Sequence, residues 1–128
     1  MLIDTNVIIE ILRHPSGSER FRLVKESIGS EDLYVLVVEL AEMSDWCIQN
    51  RVSPRERVEA VKKLASIVPM DEEVCLEGSR IKAERRKKGY TNFGLLDGFI
   101  LAGARSMGEK LLTFDKDFSG ERDCMVLK

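Results

Sequence analysis

The sequence is poor in the residues that build soft-metal sites and disulfide frameworks. It has one histidine, His14, and three cysteines, Cys47, Cys75 and Cys124, which are odd in number, far apart and form no C-x-x-C pair. That argues against zinc and against a disulfide scaffold, and suits a reduced, cytoplasmic compartment. Positive charge is not in excess either. Lys and Arg number 20 against 22 Asp and Glu, a net charge of -2, so no global basic field advertises nucleic-acid binding and any such binding has to be local. Long apolar runs are missing. The longest nearly apolar stretch, Phe93 to Ala104, is about a dozen residues and carries Asp97, too short and too polar for a bilayer. Met1-Leu2-Ile3-Asp4 opens with neither the basic stretch nor the cleavage site of a signal peptide. Repeats, linkers and low-complexity tracts are also absent, so one domain over residues 1–128 is expected.

What is present is an ordinary hydrophobic content of 44% with a high charged fraction of 33%, a composition that favours a folded domain with a heavily charged surface. Apolar patterning and turn residues divide the chain into alternating strands and helices. Strands are expected at Met1 to Ile3, Leu33 to Val37, Ile67 to Met70, Lys110 to Phe114 and Cys124 to Leu127. Helices are expected at Asn6 to Arg13, closed by His14-Pro15, at Glu19 to Ile28, and from Val38 to Asn50, where Leu40, Met43 and Cys47 recur at helical spacing. A further helix starts at Ser53-Pro54-Arg55-Glu56, which combines a Ser cap, Pro in the first turn and Glu placed for a capping box. Glu72 to Lys88 reads as a charged helix ended by Gly89. Phe93 to Met107, capped by Thr91 or Asn92, is apolar nearly all round and should be buried. Strands joined through helices imply an α/β fold with a mainly parallel sheet, because parallel neighbours need crossover connections. In such sheets ligands bind beyond the carboxyl ends of the strands, where Asp4 and Asp115 stand, with Glu39 just past the end of a third strand.

Asp97 is the most informative residue, because its neighbours from Phe93 to Ala102 are all apolar or glycine. An isolated ionised carboxylate there would cost several kcal/mol, so it must neutralise, pair with a cation or bind metal. Arg105, the only cation in that helix, is eight positions away, which leaves a buried pair with a distant Lys or Arg as the structural alternative. Asp4 read alone can be a helix cap, Glu39 a solvated helix residue and Asp115 a loop acid. Their convergence on one edge of the sheet is what raises them above those readings. Clustered carboxylates repel unless cations sit among them, and an all-oxygen set suits Mg²⁺ or Mn²⁺. Phosphodiester hydrolysis is the chemistry such a centre supports.

Four segments carry a family resemblance: Leu2-Ile3-Asp4-Thr5-Asn6-Val7, Val38-Glu39-Leu40, Leu96-Asp97-Gly98-Phe99-Ile100-Leu101-Ala102 and Leu112-Thr113-Phe114-Asp115-Lys116-Asp117-Phe118. In order and span they resemble the four motifs of PIN domains, most similarly those of VapC-type toxins. The resemblance implies an α/β/α sandwich with a central parallel sheet, Mg²⁺- or Mn²⁺-dependent RNA cleavage, a homodimer and inhibition by a small antitoxin. It assigns Asp4, Glu39, Asp97 and Asp115 as catalytic metal-binding acids, Asn6 and Thr113 as polar supports and Asp117 as an accessory acid.

Several residues are left with two readings. Glu42, one turn beyond Glu39, is either a group outside the metal ligands that supports them or a solvated charge. The basic run Lys82 to Lys88 is either a phosphate track or a solvated helix end. Trp46 and Tyr90 either stack on bases or pack, packing being favoured for Trp46. Gly94 falls in the first turn of its helix and serves close packing, His14 lies on the surface without a catalytic part, and the cysteines act as small core hydrophobes. The rival functions are an RNA-processing or structure-specific PIN nuclease without an antitoxin, a non-catalytic PIN-like binding module, and a receiver-like phosphate-accepting signalling domain. The last would need paired acids after the first strand, where Thr5 and Asn6 follow Asp4.

Overall fold

A computed structural model describes residues 1–13 and 17–128; the expectations for His14 and for the His14-Pro15 helix end lie outside the described residues. Five short strands, β1 (Leu2–Ile3), β2 (Tyr34–Leu36), β3 (Ser66–Val68), β4 (Leu111–Thr113) and β5 (Cys124–Val126), form one sheet in the order β3-β2-β1-β4-β5. Every pairing is parallel. Six helices connect them: α1 (Thr5–Arg13), α2 (Glu19–Ile28), α3 (Val37–Gln49), α4 (Pro54–Leu64), α5 (Glu72–Lys87) and α6 (Leu95–Ser106). Receiver domains order their strands 2-1-3-4-5. The order found here therefore removes the signalling-domain rival.

The two-residue period of the strands sorts the core into two layers. Ile3, Val35 and Leu112 face one side, where they pack with Val7, Ile8, Val24, Met43, Cys47 and Val61 of the first four helices. Leu2, Leu36 and Leu111 face the other side, against Val74 and Ile81 of α5, Ile100, Leu101 and Ala104 of α6, and Phe118. A sheet covered on both faces is the α/β/α sandwich expected for an all-parallel arrangement. Pro69 follows β3, an edge strand, where a missing N–H is tolerated. Ser53 caps α4 by accepting the Glu56 N–H at 3.4 Å.

α5 and α6 cross at two glycines. A Cβ on Gly98 would lie 2.2 Å from the Gly78 carbonyl oxygen, and one on Gly78 would lie 2.5 Å from the Phe99 ring. Both contacts are closer than atoms can approach, so the two backbones touch only because neither position has a side chain.

Local expectations are corrected at α6 and at α3. The helix expected from Phe93 begins at Leu95, because Phe93 turns inward as a fully buried plug, edge-to-face with Phe118 at 5.2 Å, while its carbonyl accepts from Arg86 Nε at 2.6 Å. Gly94, not Thr91 or Asn92, therefore holds the N-cap, in extended backbone rather than in the first turn. α6 is also less buried than its composition suggests, for Leu95 and Leu96 are exposed on its first turn. Similarly, Val37 opens α3 instead of closing β2. No described helix is long and apolar enough to cross a membrane.

Candidate active site

The strand order reverses at β1, between β2 and β4, and the acids gather at the carboxyl ends of these three strands. Asp4 follows β1 directly and is 5% exposed. Its Oδ1 accepts the Thr5 N–H at 2.8 Å, and its Oδ2 accepts the Thr113 hydroxyl at 2.6 Å and the Asn6 amide at 3.2 Å. Asn6 also accepts the Phe114 N–H at 3.1 Å, so one amide ties the start of α1 to the end of β4. Thr113 is fully buried. While donating to Asp4 it accepts the Asp115 N–H at 2.9 Å. Both residues expected as supports thus bridge Asp4 to the segment that bears Asp115.

Glu39 and Asp97 are held by one device. Each is the third residue of its helix and folds back on the backbone N–H of the cap. Glu39 Oε2 accepts from Leu36 N at 2.8 Å, and Asp97 Oδ2 accepts from Gly94 N at 2.8 Å. Asp115 caps the 3-10 turn Lys116–Phe118, its Oδ1 accepting the Asp117 N–H at 2.9 Å. The positive ends of α3 and α6 therefore face the site and favour anions there. Each acid satisfies one backbone donor and keeps other lone pairs free.

Burial opposes these charges. It pushes the Asp4 carboxyl up to about 7, against the Thr113 and Thr5 hydrogen bonds that favour the ion, with Glu42 and Asp97 raising it further by repulsion. Glu39, buried completely, is raised well above the carboxylate range by desolvation and then by the charges of Asp4 and Glu42. Desolvation lifts the half-exposed Asp97 to about 6, aided by Asp115, Glu42 and Asp117. These mutual repulsions trace the cluster from Glu39 and Asp4 inside, through Glu42, to Asp97, Asp115 and Asp117 at the mouth. Among the described residues, no ion pair reaches any of the six. Arg105, the nearby cation considered for Asp97, instead binds Asp123 at 2.7 Å and Glu121 at 2.7 Å.

Glu42 belongs with this group. Half-buried, it accepts the Thr5 hydroxyl at 3.0 Å, the same hydroxyl oxygen lying 3.5 Å from Glu39 Oε1, and burial raises its carboxyl too. Its placement three residues after Glu39 was the signal. Thr5 has no signal beyond its position between Asp4 and Asn6. Glu42→Gln is expected to keep the fold, since an amide oxygen still accepts from Thr5. It should also lower the carboxyl titration midpoints of Asp4 and Asp97 from about 7 and about 6, as followed by NMR. Unmoved midpoints would separate Glu42 from the cluster.

The basic run divides instead of forming one track. Arg85 is 3% exposed, while Arg86 uses its Nε on Phe93 O; Lys87 and Lys88 are exposed. Arg85 therefore leaves the phosphate-contact set. Its place on the face Val74, Gly78, Ile81, Arg85, the buried residues of α5, was legible as helical spacing. Tyr90 lies beneath the Arg85 guanidinium at 3.7 Å and donates to Ser119 O at 3.2 Å, so one face of its ring is taken by packing. Trp46 packs against the core layer that holds Met43 and Cys47 and lines a small apolar cavity with Ile9 and Leu12. Cys47 is a core residue, whereas Cys75 and Cys124 are only partly buried.

No three of the described His, Cys, Asp and Glu residues close on a single point as a finished ligand shell. What fits a divalent ion is the donor chemistry: carboxylate oxygens only, crowded, with Asp4, Glu39 and Asp97 raised in pKa and no ion-paired cation among the described residues, the set that hard oxygen-seeking cations take.

Comparison with known proteins agrees with this geometry. Among curated protein sequences none matches the chain. A toxin-antitoxin complex from Klebsiella pneumoniae superposes with a TM-score of 0.75 at 17% identity, covering 98% of this chain and 95% of that one. FitAcB from Neisseria gonorrhoeae gives 0.72 at 28% identity, with 99% and 96% covered. VapC20 of Mycobacterium tuberculosis, a toxin described as cleaving the sarcin-ricin loop, gives 0.69 at 17% identity, with 94% of each chain covered. The model of the PIN domain matches residues 1–120, and with its acids at the ends of β1, β2 and β4 the chain belongs to the PIN domain family.

Proposed function

We propose that this PIN domain is a Mg²⁺- or Mn²⁺-dependent endoribonuclease and the toxin of a toxin-antitoxin pair. The observation that carries the reading is the acid cluster at the strand ends, six carboxylates without a paired cation among the described residues. Asp4, Glu39, Asp97 and Asp115 would hold the ion, with Glu42 and Asp117 beside them. Bound there, a divalent ion would polarise a phosphate oxygen and lower the pKa of an attacking water. The chain's own part is to orient. Thr113 and Asn6 fix Asp4, the α3 and α6 caps aim Glu39 and Asp97, and the half-exposed Asp97, Asp115 and Asp117 form the side open to substrate. Two solved relatives are a toxin-antitoxin complex and an RNA-cleaving toxin, which supports both the substrate class and a small antitoxin as partner. The homodimer is part of the same proposal and is checked by sedimentation.

The test is incubation of the purified protein with RNA and DNA oligonucleotides, with Mg²⁺, with Mn²⁺ and with chelator. Metal-dependent cutting of RNA, DNA left intact, is the expected result. Cutting that survives chelation would overturn the metal centre, and cutting of DNA alone would overturn the substrate class. Co-expression with the protein encoded next to it should suppress both cleavage and growth arrest. Arrest-free overproduction of a cleaving enzyme would leave a PIN nuclease without an antitoxin.

A further inference from the structure

Arg85 is the one cation of α5 turned fully into the protein, and it spends its guanidinium on the loop that carries two of the site's acids. Nη2 donates to Asp117 O at 2.5 Å and to Ser119 O at 2.8 Å, and Nη1 donates to Glu121 Oε1 at 3.1 Å. Its Cζ lies over the Tyr90 ring, 3.7 Å from the centroid, and Tyr90 in turn donates to Ser119 O. Glu121 is held from its other oxygen by Arg105 of α6 at 2.7 Å. Among the described residues, Arg85 Nε has no hydrogen-bond partner. The two carbonyls belong to the turn that begins at Asp115, whose carboxylate caps it through Asp117 N and whose own N–H is fixed by Thr113.

A buried cation facing two carbonyls and one carboxylate costs desolvation that a well-packed apolar residue would avoid. Planar, multidentate fixing of a loop is what a guanidinium provides and an ammonium does not. We propose that Arg85 is a positioning residue of the acid site: from the back of the site it clamps the turn Asp115–Ser119, setting where Asp115 and Asp117 stand relative to Asp97. The role as a positioning residue for cleavage rests on the nuclease reading above, whereas the clamp itself does not.

The experiment compares the parent with Arg85→Lys, which keeps the charge and loses the fork, and with Glu121→Gln, which loosens the guanidinium and leaves it in place. The readouts are thermal melting, amide hydrogen exchange of the metal-free proteins, Mn²⁺ affinity and single-turnover RNA cleavage. In folded variants, exchange at the amides of Asp117, Phe118 and Ser119 should rise about tenfold or more relative to the sheet. Mn²⁺ affinity should fall about tenfold, as for residues that orient metal ligands, and cleavage should fall with it. Unchanged exchange in this turn, in a folded variant with parental Mn²⁺ affinity, would overturn the clamp. If Arg85→Lys does not fold, Glu121→Gln decides by the same readouts. A parent that cuts no nucleic acid, with the turn loosened in the variants as expected, would overturn the nuclease reading and leave the clamp standing.

Discussion

Asp97→Asn should abolish cleavage while leaving the metal-free protein as stable as its parent or more so. The loss expected is about 10³-fold in single-turnover rate, roughly 4 kcal/mol of transition-state stabilisation. Structural damage is not expected, since an Asn amide oxygen still accepts the Gly94 N–H that caps α6. The stability side follows from linkage. Asp4, Glu39 and Asp97 all have folded pKa values raised above their ordinary ones, so between about 4 and about 7 the folded state holds more protons than the unfolded. These groups therefore cost nothing at a pH low enough to protonate both states. The penalty grows as pH rises through the ordinary carboxylate range, and the share of Asp4 is complete above its folded value of about 7. For Asp4 alone it is on the order of 4 kcal/mol.

Thermal melts of the chelated parent should consequently fall between pH 5 and pH 7.5, and Mn²⁺ should restore much of the loss. In Asp97→Asn the fall should be shallower and the Mn²⁺ effect small. A destabilisation of about 3 kcal/mol or more under chelator would instead mean that the change had stranded a buried cation, and would refute the reading of Asp97 as a member of the acid cluster.

The elements and the two-faced core were legible because period-2 and period-3.6 apolar spacing is a local signal, and five strands separated by helices admit few topologies. Asp4 and Asp115 were legible for a related reason: each closes an apolar run, and the carboxyl end of a parallel strand is where a site forms. Asp97 stands out by its apolar neighbours, yet those neighbours do not bury it. The half-exposed residue sits at the mouth of the site in the first turn of α6, and the apolar side chains before it are a plug, Phe93, and two surface leucines. What was not legible locally were the partners that only folding brings together. Thr5 reaches Glu42 across 37 residues, and Arg85 reaches the Asp117 carbonyl across 32. Read as composition, Arg85 was one charge in a basic run; on its helical face it belongs to a buried stripe.

Gly98→Ala should cost the protein about 2 kcal/mol, and with it the position of the neighbouring acid. Nothing in the sequence separates this glycine from Gly103, since both lie inside α6 and helix propensity alone gains roughly 1 kcal/mol from alanine at either. Their surroundings decide the sign. At Gly103 the added methyl would meet the end of the Leu36 side chain at 3.1 Å, which need give by only a few tenths of an ångström, so Gly103→Ala should be nearly neutral. At Gly98 it would meet the Gly78 carbonyl at 2.2 Å, backbone held within α5, so the two helices must part. Separating packed helices loses contacts along the whole crossing, and overpacking of that kind costs 1–3 kcal/mol or more, enough to outweigh the propensity gain. Asp97 precedes Gly98 on the same turn, so parting the helices also shifts its carboxylate away from Asp115 and Glu42. Urea melts of the two variants, with Mn²⁺ titrations of whichever remain folded, check both halves. The expected pattern is a large stability loss and weakened Mn²⁺ binding for Gly98→Ala alone, and a Gly98→Ala protein as stable as Gly103→Ala would show that the α5–α6 crossing is not the constraint that places Asp97.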